Sequence, residues 1–256
     1  MTQNERLHFL LDYLIKESKQ YSDIKIPNSI TEKKQLLRSL MNIRAPKAIY
    51  DEFIKIQNEY LQRETADKGI TDVNSLFPVR DRLYIWQGDI TTLKCGAVVN
   101  AANSAMLGCF VPCHKCIDNA IHTYAGVQLR LECDALMCEQ GHAEQTGQAK
   151  ITKAYNLPCD YIIHTVGPIV HGTLAKKDCE LLKSYYIECL KKAEENNIKS
   201  IAFCCISTGE FHFPNEKAAE IAVNTVTEYL KKSKIEKVIF NVFKNEDREI
   251  YTKLLR

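Results

Sequence analysis

Ser200-Ile-Ala-Phe-Cys-Cys205, a helical stretch from Asn215 to Lys232, and Glu236-Lys-Val-Ile-Phe-Asn-Val242 follow one another along the chain. Two short runs rich in β-branched and aromatic residues, separated by one helix, are what parallel strands joined by a crossover require. The same texture extends upstream. Runs at Arg82-Leu-Tyr-Ile-Trp86, Ala97-Val-Val-Asn100 and Tyr161-Ile-Ile-His-Thr-Val166 alternate with helical candidates from Ile117 to Met137 and from Cys179 to Asn196, and a last helix is predicted from Asp247 to Leu255. Alternation at these lengths predicts an α/β fold of three layers, with a largely parallel central sheet covered by helices. In such folds ligands bind beyond the carboxyl ends of the strands, so the residues that follow each run matter most.

Upstream of about residue 70 the pattern changes. Leu7, Leu10, Leu11, Leu14 and Ile15, then Leu36, Leu37, Leu40 and Met41, recur at helical spacing, and Pro27-Asn28-Ser29 and Ala45-Pro46 interrupt them. Three short helices are predicted, giving a helical extension over residues 1–70 and an α/β domain over residues 71–256. The extension carries no titratable cluster or glycine loop, so it reads as a packing appendage or an interaction module.

Composition narrows the functional classes. With 34 Lys plus Arg against 32 Asp plus Glu, the chain lacks the basic excess of a non-specific nucleic-acid binder. No apolar run approaches the ~18 residues of a membrane span, and the opening residues lack a signal-peptide pattern, so a cytoplasmic location without membrane attachment is expected. The 11 cysteines are scattered and odd in number, which suits buried thiols in a reducing compartment better than a disulfide framework.

Three strand exits stand out. Gln87-Gly-Asp-Ile-Thr-Thr92 offers a tight turn and an acceptor at Asp89, which alone is ordinary turn chemistry. Val99-Asn-Ala-Ala-Asn-Ser104 ends a buried strand in two amides flanking two small residues; the amides need partners and the alanines leave room for a ligand. Ile206-Ser-Thr-Gly-Glu-Phe-His-Phe-Pro214 puts small hydroxyls and a glycine at a strand-to-helix turn, a backbone nest suited to phosphate, with Phe211 and Phe213 available for stacking.

In order and spacing these segments, with Ile163-His-Thr-Val-Gly-Pro168 between them, resemble the macrodomain family from about Leu83 onward. The resemblance implies a three-layer α/β/α fold with a mixed, largely parallel sheet, and binding of ADP-ribose. It further implies that Asp89 accepts from the adenine amino group with Ile90 beside it, and that Asn103 holds the distal ribose. Ser207, Thr208, Gly209 and Glu210 would wrap the diphosphate, Phe211 would pack on the distal ribose and Phe243 would cover the adenine.

One segment departs from the common pattern. Where hydrolytic macrodomains carry a run of glycines and then an aspartate, this chain reads Leu107-Gly-Cys-Phe-Val-Pro-Cys-His-Lys-Cys-Ile-Asp-Asn119. Cys109, Cys113, His114 and Cys116 fall within eight positions, and thiolates with an imidazole select zinc over magnesium or calcium. Cys113 and His114 are adjacent, so their side chains tend to diverge; Cys109, His114 and Cys116 are expected to hold the ion, leaving a fourth position open as catalytic sites do. This arrangement, with the helical extension, resembles the zinc-containing macrodomain branch of ADP-ribosyl hydrolases, often encoded with a class M sirtuin and a lipoyl-carrier protein.

The resemblance aligns Asp118 with the catalytic aspartate of hydrolytic macrodomains. The expected activity is therefore zinc-dependent removal of mono-ADP-ribose from modified Asp or Glu side chains of proteins, with Asn103 and Asp118 in catalytic roles. A sirtuin-modified lipoyl-carrier protein is a candidate partner. A non-catalytic ADP-ribose reader and an O-acetyl-ADP-ribose deacetylase remain the competing readings. His122 and His164 are expected to make structural hydrogen bonds.

Overall fold

The computed structural model describes residues 1–170, 172–206 and 211–256. The chain opens on three helices, α1 (Gln3–Lys16), α2 (Ile30–Ile43) and α3 (Asp51–Lys68). Thr2 caps α1 in a reciprocal capping box with Glu5, so the helix begins where its first free N–H groups are satisfied. The apolar stripes of the three helices meet in a core of their own, which includes Leu10, Leu40, Phe53 and Leu61 and reaches the rest of the molecule through Val127.

Strands β1 (Thr71–Asp72), β2 (Leu83–Gln87), β3 (Leu93–Lys94) and β4 (Ala97–Ala102) lead to helices α4 (Ile117–Ala125) and α5 (Val127–Gln140). The remainder runs β5 (Ala149–Lys153), β6 (Tyr161–Val166), α6 (Lys176–Glu195), β7 (Ser200–Phe203), α7 (Asn215–Leu230), β8 (Lys237–Val242) and α8 (Asn245–Leu255). The main sheet has the order β2-β8-β7-β4-β6-β5. All its pairings are parallel except β5 with β6. Helices α6, α7 and α8 pack on one another over the sheet, and α4 and α5 pack against β4 and β5 beside the extension. The mixed, mostly parallel three-layer architecture expected from the alternation is thus observed. No helix among the described residues is long and apolar enough to cross a membrane.

Two features differ from the sequence reading. The helix expected over Ile117 to Met137 is two helices, broken at Gly126, whose φ is 97°. A Cβ at that position would lie 2.6 Å from the Gln57 amide nitrogen of α3, so glycine permits both the left-handed backbone and the close approach of the extension. Strand β5 was not expected. It is short, carries Lys150 and Lys153, and forms an edge, where charged residues are tolerated and hydrophobic patterning is weak.

Candidate active site

The carboxyl ends of β2, β4, β7 and β8 lie along one edge of the sheet, because these strands are parallel, and the expected site residues follow directly from them. Beyond β2, Asp89 caps a short 3-10 turn: one carboxylate oxygen accepts from the Thr91 hydroxyl at 2.6 Å and amide at 3.0 Å, and the other accepts from Lys68 Nζ at 3.0 Å. Partial burial pushes the Asp89 carboxyl up, but the Thr91 hydroxyl bond and the Lys68 charge outweigh it, and the group stays below the usual carboxylate range. Ile90 is buried beneath. Beyond β8, Phe243 is 77% exposed, an aromatic face left open at the same edge. Phe211 is half-buried, with its carbonyl held by the Val170 amide at 3.0 Å. Ser207, Thr208, Gly209 and Glu210 lie outside the described residues.

At the end of β4 the amide nitrogens find partners. Asn100 and Asn103 each donate to Asp118 of α4, to Oδ1 at 2.8 Å and to Oδ2 at 3.3 Å respectively. Asp118 is only 4% exposed. Burial raises its pKa to about 6, opposed by the Asn100 hydrogen bond, the Arg130 charge and the Asn103 hydrogen bond. A carboxyl so placed exchanges protons near neutrality, as acid–base chemistry requires.

The segment between Asn103 and Asp118 has no regular structure, and it gathers Cys109, His114 and Cys116 so that their ligand atoms all lie within 4.8 Å of one another. The Cys109 Sγ to His114 Nδ1 distance is 3.7 Å. Tetrahedral zinc with ordinary Zn–S and Zn–N bonds separates two such ligand atoms by roughly 3.6 Å, so the donor set fits the ion in kind and the Cys109–His114 pair fits it in spacing. Burial and the neighbouring Cys109 and Asp118 hold the Cys116 thiol up at about 12, against a helix N-terminal hydrogen bond from Asn119 that lowers it. A cation would be needed to stabilise the thiolate there. Cys113 points elsewhere: its Sγ lies 3.3 Å from the Ser39 hydroxyl and 3.5 Å from the Gln35 carbonyl oxygen, both on α2.

The two histidines part company. His164 meets the structural expectation, with Nδ1 3.1 Å from the Asn100 amide and Nε2 2.9 Å from the Thr152 hydroxyl. His122 does not: among the described residues neither buried ring nitrogen has a hydrogen-bond partner, and Asp118 Oδ1 lies 3.6 Å from Nε2. Burial keeps the ring neutral. The ring fills the space under Gly108, whose backbone at φ +82° would place a Cβ 2.7 Å from it.

Sequence reasoning missed several contributors. Asn100 was visible only as one of two strand-end amides. Lys68 comes from the far end of α3, where it pairs with Asp89 and lies 3.3 Å from the centre of the Tyr124 ring. The extension, read as a packing appendage or an interaction module, therefore reaches Asp89 through Lys68.

A family model described as Macro domain matches residues 99–222. A Treponema medium protein named protein-ADP-ribose hydrolase is 55% identical over 260 residues, covering 100% of both chains. A Staphylococcus aureus protein of the same name is 45% identical, covering 96% of this chain and 93% of its own. Among solved structures, a macrodomain from Oceanobacillus iheyensis superposes with a TM-score of 0.64 at 34% identity over 70% of this chain and 94% of that one. A Trypanosoma brucei macrodomain in complex with ADP-ribose gives a TM-score of 0.67 at 26% identity over 90% of this chain and 97% of that one. With strand order, family model and full-length relatives in agreement, this chain belongs to the macrodomain family.

Proposed function

We propose that the chain is a protein-ADP-ribose hydrolase that uses zinc to remove mono-ADP-ribose from modified Asp and Glu side chains. The observation that carries the reading is Asp118, a buried carboxylate held by Asn100 and Asn103 two residues beyond a Cys109, His114, Cys116 cluster. Full-length relatives named protein-ADP-ribose hydrolase support the hydrolase class, and the ADP-ribose complex of the T. brucei neighbour supports the ligand.

In this reading ADP-ribose lies along the strand ends. The Asp89 carboxylate accepts from the adenine amino group, Phe243 covers the ring and Phe211 packs on the distal ribose. The diphosphate is assigned in this reading to Ser207, Thr208, Gly209 and Glu210. Cys109, His114 and Cys116 would hold the zinc, which would supply Lewis-acid chemistry beside Asp118. Asn103 orients the distal ribose toward Asp118. The Asp118 carboxylate positions the attacking water and takes its proton, and hydrolysis yields ADP-ribose and the free acidic side chain. A lipoyl-carrier protein modified by a class M sirtuin is the proposed protein substrate.

The test is incubation with mono-ADP-ribosylated acceptors of known linkage, with and without a chelator. Release from ester-linked Asp or Glu that the chelator abolishes is expected. Binding without release would favour a reader, chelator-resistant release would remove zinc from the chemistry, and turnover confined to O-acetyl-ADP-ribose would change the substrate.

A further inference from the structure

The loop from Leu107 to Cys116 carries the cluster yet has no ladder of its own, so its backbone groups need partners from elsewhere. Two of those partners, Arg38 and Asn42, come from the extension. Arg38 of α2 donates through Nη2 to the His114 carbonyl at 2.9 Å and to Asn119 Oδ1 at 2.7 Å, and through Nε to the same Oδ1 at 3.1 Å. Asn119, thus oriented and itself fully buried, donates its amide to the Val111 carbonyl at 3.0 Å and the Cys109 carbonyl at 3.4 Å. Asn42 of α2 accepts from the Cys113 amide at 3.0 Å while donating to the Thr123 hydroxyl at 2.9 Å. Arg130 of α5 donates to the Leu107 carbonyl at 2.7 Å and, in the other direction, to the Met41 carbonyl at the end of α2.

We infer that helix α2 is a clamp for the metal-binding loop, with Arg38 and Asn42 as positioning residues that set how tightly Cys109, His114 and Cys116 hold an ion. The inference rests on the zinc reading of that cluster. Three donors on an irregular loop must be held close to tetrahedral geometry before binding, or the ordering cost is met out of the metal affinity. Arg38 fixes the backbone of one ligand directly. Through Asn119 it also fixes the carbonyl of a second, and the Asn119 amide N–H lies 3.4 Å from the Sγ of the third, Cys116. Asn42 holds the turn at Cys113, whose φ of 53° is a conformation a free loop seldom keeps. The planar guanidinium suits this task because it serves two acceptors at once, which a lysine ammonium does not do in the same geometry.

The test uses the full chain loaded with zinc or cobalt, comparing wild type with Arg38→Gln, Arg38→Lys and Asn42→Ala. Arg38 is half-exposed, so its variants are the primary ones. Zinc release to a chromogenic chelator should accelerate about 10- to 100-fold in Arg38→Gln, the scale on which partners of metal ligands act, with Arg38→Lys intermediate. The thiolate-to-cobalt absorption should shift, while the melting temperature of the metal-free protein and its affinity for ADP-ribose stay near wild type. Release from Arg38→Gln at the wild-type rate, in a wild type that binds metal, would overturn the clamp and leave the zinc reading intact. Equal losses of metal retention and of metal-free melting temperature would also overturn it, since that pattern belongs to a general packing residue. A wild-type protein that takes up no metal would overturn the zinc reading and the clamp with it.

Discussion

Asp118→Asn separates catalysis from stability, and the structure sets the scale of both. The carboxyl moves from an ordinary 3.8 up to about 6 in the folded chain, first because burial disfavours its charge. At 1.36 kcal/mol per pH unit, keeping it ionised at neutral pH costs the metal-free fold about 3 kcal/mol. The sign follows from the direction: a carboxyl raised above its unfolded value favours the folded state only when protonated, so at neutral pH it weighs against folding. An asparagine relieves that cost, but its amide keeps one acceptor oxygen facing two donors, Asn100 Nδ2 and Asn103 Nδ2. An unsatisfied buried donor costs about 1–3 kcal/mol, so the two effects nearly cancel. The melting temperature of the metal-free variant should lie within about 5 °C of wild type. Loss of a general base lowers turnover about 10²- to 10⁴-fold, or about 3–5 kcal/mol of barrier. The assay is ADP-ribose release from an ester-linked acceptor, with calorimetry for ADP-ribose binding as the control. A variant that hydrolyses within tenfold of wild type would refute the catalytic role. One that melts more than about 10 °C lower would show the carboxylate to be structural.

The metal set predicts that Cys109→Ser loses bound zinc while Cys113→Ser keeps about one ion per chain, because the Cys113 thiol faces Ser39 and Gln35 of α2; metal analysis showing the reverse would replace the ligand assignment. ADP-ribose should bind well above AMP, which lacks the distal ribose that Phe211 is proposed to pack against, and equal affinities by calorimetry would remove that contact. Asp89 is depressed below the usual carboxylate range, so in the folded protein it stays ionised from mildly acidic to basic pH and its contribution to adenine binding is lost only in more acid solution. The ratio of wild-type to Asp89→Asn affinity should therefore stay constant between about pH 5 and about pH 8, and a ratio that falls steadily across that range would show that Asp89 is not the group responsible.

The sheet was legible because each of its inner strands is a short apolar run with a helix before or after it, and because parallel pairing puts every functional exit on one edge. Strand β5 escaped because an edge strand with two lysines offers little periodicity, and Gly126 was passed over because nothing local says that Gln57, some seventy positions away, needs the room its missing Cβ leaves. The cluster of Cys109, His114 and Cys116 was legible for the opposite reason, since its members lie within eight positions and local spacing is what sequence reading sees best. What holds those three in place is long-range. Arg38 and Asn119 are 81 positions apart, as are Asn42 and Thr123, and Lys68 reaches Asp89 across 21. Each of these residues is unremarkable on its own helix, where an exposed arginine or a lysine in a last turn is ordinary solvated chemistry. Their roles exist only once α2 and α3 dock, and that docking is encoded by apolar stripes that say nothing about polar contacts at their rim. A helical extension with its own core can therefore look inert in sequence and still bring a cation to the proposed adenine end and two backbone pins, from Arg38 and Asn42, to the metal loop.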